Sequence, residues 1–140
     1  QLVFTGIYHQ NQQAIFLSQA PNWKHIMPVV VTGQLLPGTQ MKLVKFFNVD
    51  YKKSSSDLNA PTVSGRYITF GGAIQNKKGS LAYGVFYAEK EGSAWQVHSI
   101  MFDGDMVEKN VKCSFLDAPY LTNNNNIIFL ANLSLIPSNP

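Results

Sequence analysis

The chain has 140 residues, 45% of them hydrophobic and only 14% charged, with 11 basic and 8 acidic side chains and a formal charge of +3. That length suits one domain with its own core, and with Arg66 as the sole arginine the chain lacks the guanidinium forks on which base and phosphate recognition lean. No apolar window of about 20 residues exists to predict a membrane-spanning helix, and Cys113, the single cysteine, excludes an internal disulfide framework.

LVFTGIYHQ and QAIFLSQ open the chain as two strands joined near Gln10–Gln12, because Val, Ile, Phe and Tyr favour extended backbone. NWKHIM follows between Pro21 and Pro28 and has room for one helical turn capped by Asn22, which Pro28 ends. MPVVVTGQLL and MKLVKFFNVDY read as strands on either side of a Pro37-Gly38 turn. The second carries apolar groups on both faces, so it is either covered on both sides or shifted in phase by a bulge. Residues 52–63, KKSSSDLNAPTV, read as a long polar loop.

The surest unit is the meander RYITFGGAI, LAYGVFYAE and WQVHSIMF, with turns at Asn76–Gly79 and at Glu91–Ala94. Gly71, Gly72 and Gly84 lie inside these strands, where glycine marks a bend, a bulge or a close backbone approach. VKCSFLD is a further strand that buries Cys113, and LTNNNN (121–126) is a polar turn. IIFLANLSLI is the last strand, and 137–140 form a C-terminal tail. The expected fold is mainly β: a single domain of nine short strands in an antiparallel meander, forming a curved sheet, barrel or sandwich with at most short helical turns.

The motifs of chemistry are absent. His9, His25 and His98 show neither HExxH nor a close Cys/His spacing, so no metal site is expected. Asp103, Asp105 and Glu108 in DGDMVE lack the EF-hand pattern and read as a turn. No GxSxG elbow, Walker loop or GxGxxG fingerprint occurs, so no catalytic residue and no cofactor is assigned. The sequon Asn132-Leu-Ser134 falls in a strand, where access is expected to be poor.

The leading functional expectation is a non-catalytic protein-binding or assembly module, part of a larger protein or complex. Its contact residues are Trp23, Lys24 and His25, with loops 52–63 and 121–126 beside them. A competing role for Trp23 is a lid over the open end of the sheet. Three other readings rank lower. One is a carrier of a small apolar ligand in a barrel interior, and another an enzyme with scattered catalytic groups. The last is a single-strand nucleic-acid binder, which would use Lys42, Lys45, Lys52, Lys53, Lys77 and Lys78 with Tyr51, Tyr67 and Phe70. The first residue is Gln1, as in a processed chain or an excised piece. Separately, the low charge and the abundance of uncharged polar residues favour an extracytoplasmic setting, periplasmic or secreted, and no signal peptide is visible.

Overall fold

A computed structural model describes residues 1–46, 60–117 and 119–137. The fold is mainly β and antiparallel, as the alternation predicts, and among the described residues the strands do not close into a barrel. The first sheet, in order β1-β2-β3, consists of β1 (Leu2–Ile7), β2 (Gln13–Ser18) and β3 (Ile26–Val31). A single 3-10 turn at His9–Asn11 links β1 to β2.

The central sheet holds β4 (Lys42–Phe46), β5 (Thr62–Ser64), β6 (Tyr67–Gln75), β7 (Leu81–Glu91) and β8 (Ala94–Phe102). Its order is β4-β6-β7-β8, and β5 shares with β4 the same edge of β6. A third sheet contains β9 (Met106–Glu108), β10 (Val111–Leu116) and β13 (Ala131–Leu135), in order β13-β10-β9. The short ribbon of β11 (Tyr120–Leu121) and β12 (Ile127–Ile128) lies between β10 and β13 in sequence.

The turns of the central meander form where the sequence places them. Gly79 N donates to Asn76 O at 3.0 Å, and Asn76 Oδ1 accepts from the N–H groups of Lys78 and Ser80 at 2.9 and 3.0 Å. Gly79 sits at φ +84°, a conformation that an L side chain resists. This turn pairs Gln75 with Leu81 and so fixes the whole β6–β7 register, down to Tyr67 opposite Glu89. In the 121–126 segment, Leu121 belongs to β11, and Thr122–Asn126 make the turn with Asn125 at φ +61°.

Consecutive residues of β7 point into different cores. Phe86 and Ala88 join Ile68, Phe70, Ile74 and Val97 against Ile15 and Val30 of the first sheet. Val85 faces the other way and packs with Cys113 of β10, beside Met101, Phe129 and Ala131. The central sheet is therefore a middle layer, which is why β6 is buried at both parities from Ile68 to Ile74. Cys113 is fully buried, as its company in the strand predicts.

One row across the central sheet is unusual. Phe46, Gly72, Gly84 and Phe102 stand opposite one another across β4, β6, β7 and β8. A Cβ on Gly72 would lie 2.6 Å from Lys45 O, and one on Gly84 would lie 2.7 Å from Met101 O. Both glycines thus mark close backbone approaches beside bulges, one between Leu43 and Lys45 in β4, the other next to Val85–Phe86 in the β7–β8 pairing. The β4 bulge also resolves the imperfect alternation of MKLVKF, since it lets Leu43 and Phe46 enter the same core.

Several expectations need correction. The Pro21–Pro28 segment forms no helical turn. His25 N donates to Asn22 O at 3.0 Å in a tight turn, and Ile26 already begins β3. Pro28 is accommodated because β3 is an edge strand with a bulge at this point. The 52–63 loop ends earlier than expected, because Thr62 and Val63 pair with Thr69 and Ile68 and the Thr62 and Thr69 hydroxyls lie 2.7 Å apart. Its residues 52–59 fall outside the described residues, as do 138–140 of the tail. The last strand is split into β12 and β13, and β9 is an additional strand.

Candidate functional site

The predicted contact residues sit on the turn between β2 and β3. Ser18, the last residue of β2, donates its hydroxyl to Trp23 O at 2.7 Å and ties the turn to the sheet. Trp23 is 50% exposed, and Lys24 and His25 are exposed beside it. The three are contiguous on the surface side of the molecule, and the indole is outside both buried clusters.

Register shows what adjoins them. Leu2, Ser18 and Ile26 stand in one row of the first sheet, and Phe4, Phe16 and Pro28 in the next. Both rows alternate with Val3, Ile15 and Val30, which face the core, so they occupy the outward face. Phe4 stacks on Phe16 with ring centroids 5.5 Å apart, and Tyr8 meets Phe16 edge-on at 6.2 Å. Leu2 is 55% exposed and Ile26 51%. Antiparallel sheets with one solvated face normally turn polar side chains outward. Here five of the six outward positions in these rows are Leu2, Phe4, Phe16, Ile26 and Pro28, the sixth is the buried Ser18 bonded to Trp23 O, and the tryptophan stands at their end.

A second constellation forms on the side of the central sheet that faces away from the first sheet. Tyr87, Glu89 and Glu91 share one face of β7 by period two, Tyr67 lies opposite Glu89, and His98 lies opposite Tyr87. Glu89 Oε1 receives the Arg66 guanidinium at 2.9 Å and the Tyr67 hydroxyl at 3.2 Å. Arg66 also donates to Lys90 O at 3.2 Å. The His98 ring stacks on Tyr87 at 4.9 Å and 22°. A groove of about 270 Å³ opens here, lined by Tyr67, Tyr87, Glu89, Leu121, Asn125 and Ile127. Thr62 fixes its wall by accepting Leu121 N at 2.8 Å through Oγ1. The groove therefore combines a pinned carboxylate with two tyrosine rings.

Sequence reasoning passed over this group because its members are far apart in the chain and match no motif. The signal was the pair of tight turns, whose registers place Tyr67, Glu89 and His98 together.

The other candidates take structural places. Asp105 Oδ2 accepts Phe102 N at 2.8 Å and holds the DGD turn. Phe70 is packed in the main core, so its ring is not a platform for a nucleic-acid base, and Tyr51, Lys52 and Lys53 lie outside the described residues. Asn132 and Ser134 are in a strand as expected, but β13 is an edge strand and both side chains are exposed, contrary to the expectation of poor access.

No known protein family, curated protein or solved structure matches the chain. No helix is long and apolar enough to cross a membrane among the described residues.

Proposed function

We propose that this chain is a non-catalytic protein-binding or assembly module that docks a partner protein on the outward face of its first sheet. The observation that carries this reading is the apolar outward row of Leu2, Phe4, Phe16, Ile26 and Pro28 ending at the half-exposed Trp23. Contiguous exposed apolar surface of this kind is disfavoured on a monomer and marks interaction sites. Trp23 has the character of an anchor, with a large rigid face and few rotamers to freeze, and Lys24 and His25 supply the polar rim. A second apolar surface, with Leu133 and Leu135 exposed on the edge strand β13, suits the same kind of role.

A carrier of an apolar ligand needs an interior. Here the sheets form no closed barrel, and the main core holds Phe70 stacked on Phe86 at 5.5 Å with Phe46 edge-on at 5.3 Å. Those contacts favour docking over carriage.

The test compares binding with stability. Trp23→Ala and Ile26→Ser should each leave the denaturant midpoint close to that of the parent chain. Both should weaken capture of a partner from the source organism, Trp23→Ala by about 2 kcal/mol or more, the scale of an interface anchor. Unchanged capture by both variants would refute the docking face.

A further inference from the structure

We propose that Glu89, Glu91 and His98 form a zinc site on the side of the central sheet facing away from the first sheet. Each offers one ligand atom, and those atoms lie within 4.8 Å of one another. Zinc bonds of about 2.1 Å require donors roughly 3–3.5 Å apart. The donors must therefore draw closer when an ion binds, and Glu91, the exposed one of the three, is the freest to do so.

Three features prepare the site beyond proximity. The first is an orphan: His98 Nε2 is buried and has no hydrogen-bond partner among the described residues. A buried polar atom without a partner is costly, and metal ligation is one role for an imidazole nitrogen so placed. The second is orientation, because stacking on Tyr87 holds the imidazole plane. The third concerns Glu89, whose partners Arg66 and Tyr67 both engage Oε1. That arrangement leaves Oε2 to a cation, with Arg66 and Tyr67 acting as the outer partners that orient a ligating carboxylate.

The donor set selects the metal class. Calcium and magnesium prefer all-oxygen cages, whereas an imidazole with two carboxylates suits zinc. Three protein donors leave a fourth position for water or for a group from a partner. This site is independent of the docking face, from which the central sheet separates it.

Isothermal titration of the full chain with zinc chloride tests the inference, using His9→Gln/His25→Gln as the background to remove the other two histidines. One saturable site is expected in that background. Adding Glu91→Gln, a change at an exposed side chain that leaves the core intact, should weaken it at least about tenfold. Adding His98→Gln should do the same while the circular dichroism stays native. If His98→Gln fails to fold, Glu91→Gln decides alone. The proposal is overturned if the background shows no saturable zinc binding, or if binding survives Glu91→Gln unchanged.

Discussion

Phe86 in β7 and Phe4 in β1 lie in strands of similar character, yet one is sealed and the other meets solvent. Phe86 touches Phe70 at 5.5 Å and Phe102 at 5.8 Å, with a sheet on each side of its own. Phe4 stacks on Phe16, on the outward face of an outer layer. The difference is position in the stack of layers rather than residue type. The middle strand β6 is buried at both parities, whereas in the outer sheet the outward parity of β1 and β3 stays at least partly exposed and only β2, between them, also buries small residues there, Ala14 and Ser18. Apolar residues at the outward parity of the outer sheet add little to the core and remain available to a partner.

The strongest way to break this comparison is to truncate the ring in the middle layer. Phe86→Ala should cost about 3–5 kcal/mol of folding stability, the range for large core aromatics. A denaturant melt reads it directly, and a loss under about 1 kcal/mol would mean that the middle layer is not the core.

Gly84→Ala probes the close backbone approach within that layer. Its added methyl would meet Met101 O at 2.7 Å and the Phe102 ring at 2.8 Å, so the β7–β8 pairing must shift. A cost of about 1–3 kcal/mol is expected, the range for overpacking. A neutral result would show that the strands separate easily at this bulge.

A smaller effect is expected at the turn that sets the central register. Asn76→Ala removes the acceptor for two backbone N–H groups, and about 1 kcal/mol should be lost in the same melt. Thiol labelling sharpens the boundary of the second core. Cys113 should react slowly in the native chain and readily in denaturant, and fast native labelling would place β10 away from Val85.

The smallest stability effect belongs to the outward face. Leu2→Ser should change the folding stability by no more than about 0.5 kcal/mol, as for ordinary surface positions. A loss on the scale of Phe86→Ala would mean that this face is structural, and would remove the basis for docking there.

What the sequence determined by itself was local. Alternation and turn chemistry are written within a few residues of where they act, so the three-strand meander, the Asn76–Gly79 turn and the asparagine turn were all legible. Cys113 was legible as well, because its neighbours in VKC fit a buried strand. The two tight turns even contained the registers that bring Tyr67 to Glu89 and Tyr87 to His98.

Layering was decided only by the tertiary structure. Nothing in QAIFLS or TFGGAI states whether one face or two will be covered, since that depends on sheets donated by distant parts of the chain. The bulges at Val44 and beside Phe86 were equally hidden, because a bulge is a mismatch between two strands and belongs to neither alone. Pro28 shows the same limit. It stands near the start of the expected strand MPVVVTGQLL, but what lets a residue without an N–H pair there, an edge position with a bulge, belongs to the sheet. The orphaned His98 nitrogen was out of reach for this reason too: burial of a single ring atom depends on what packs over it, and that is settled by the fold as a whole.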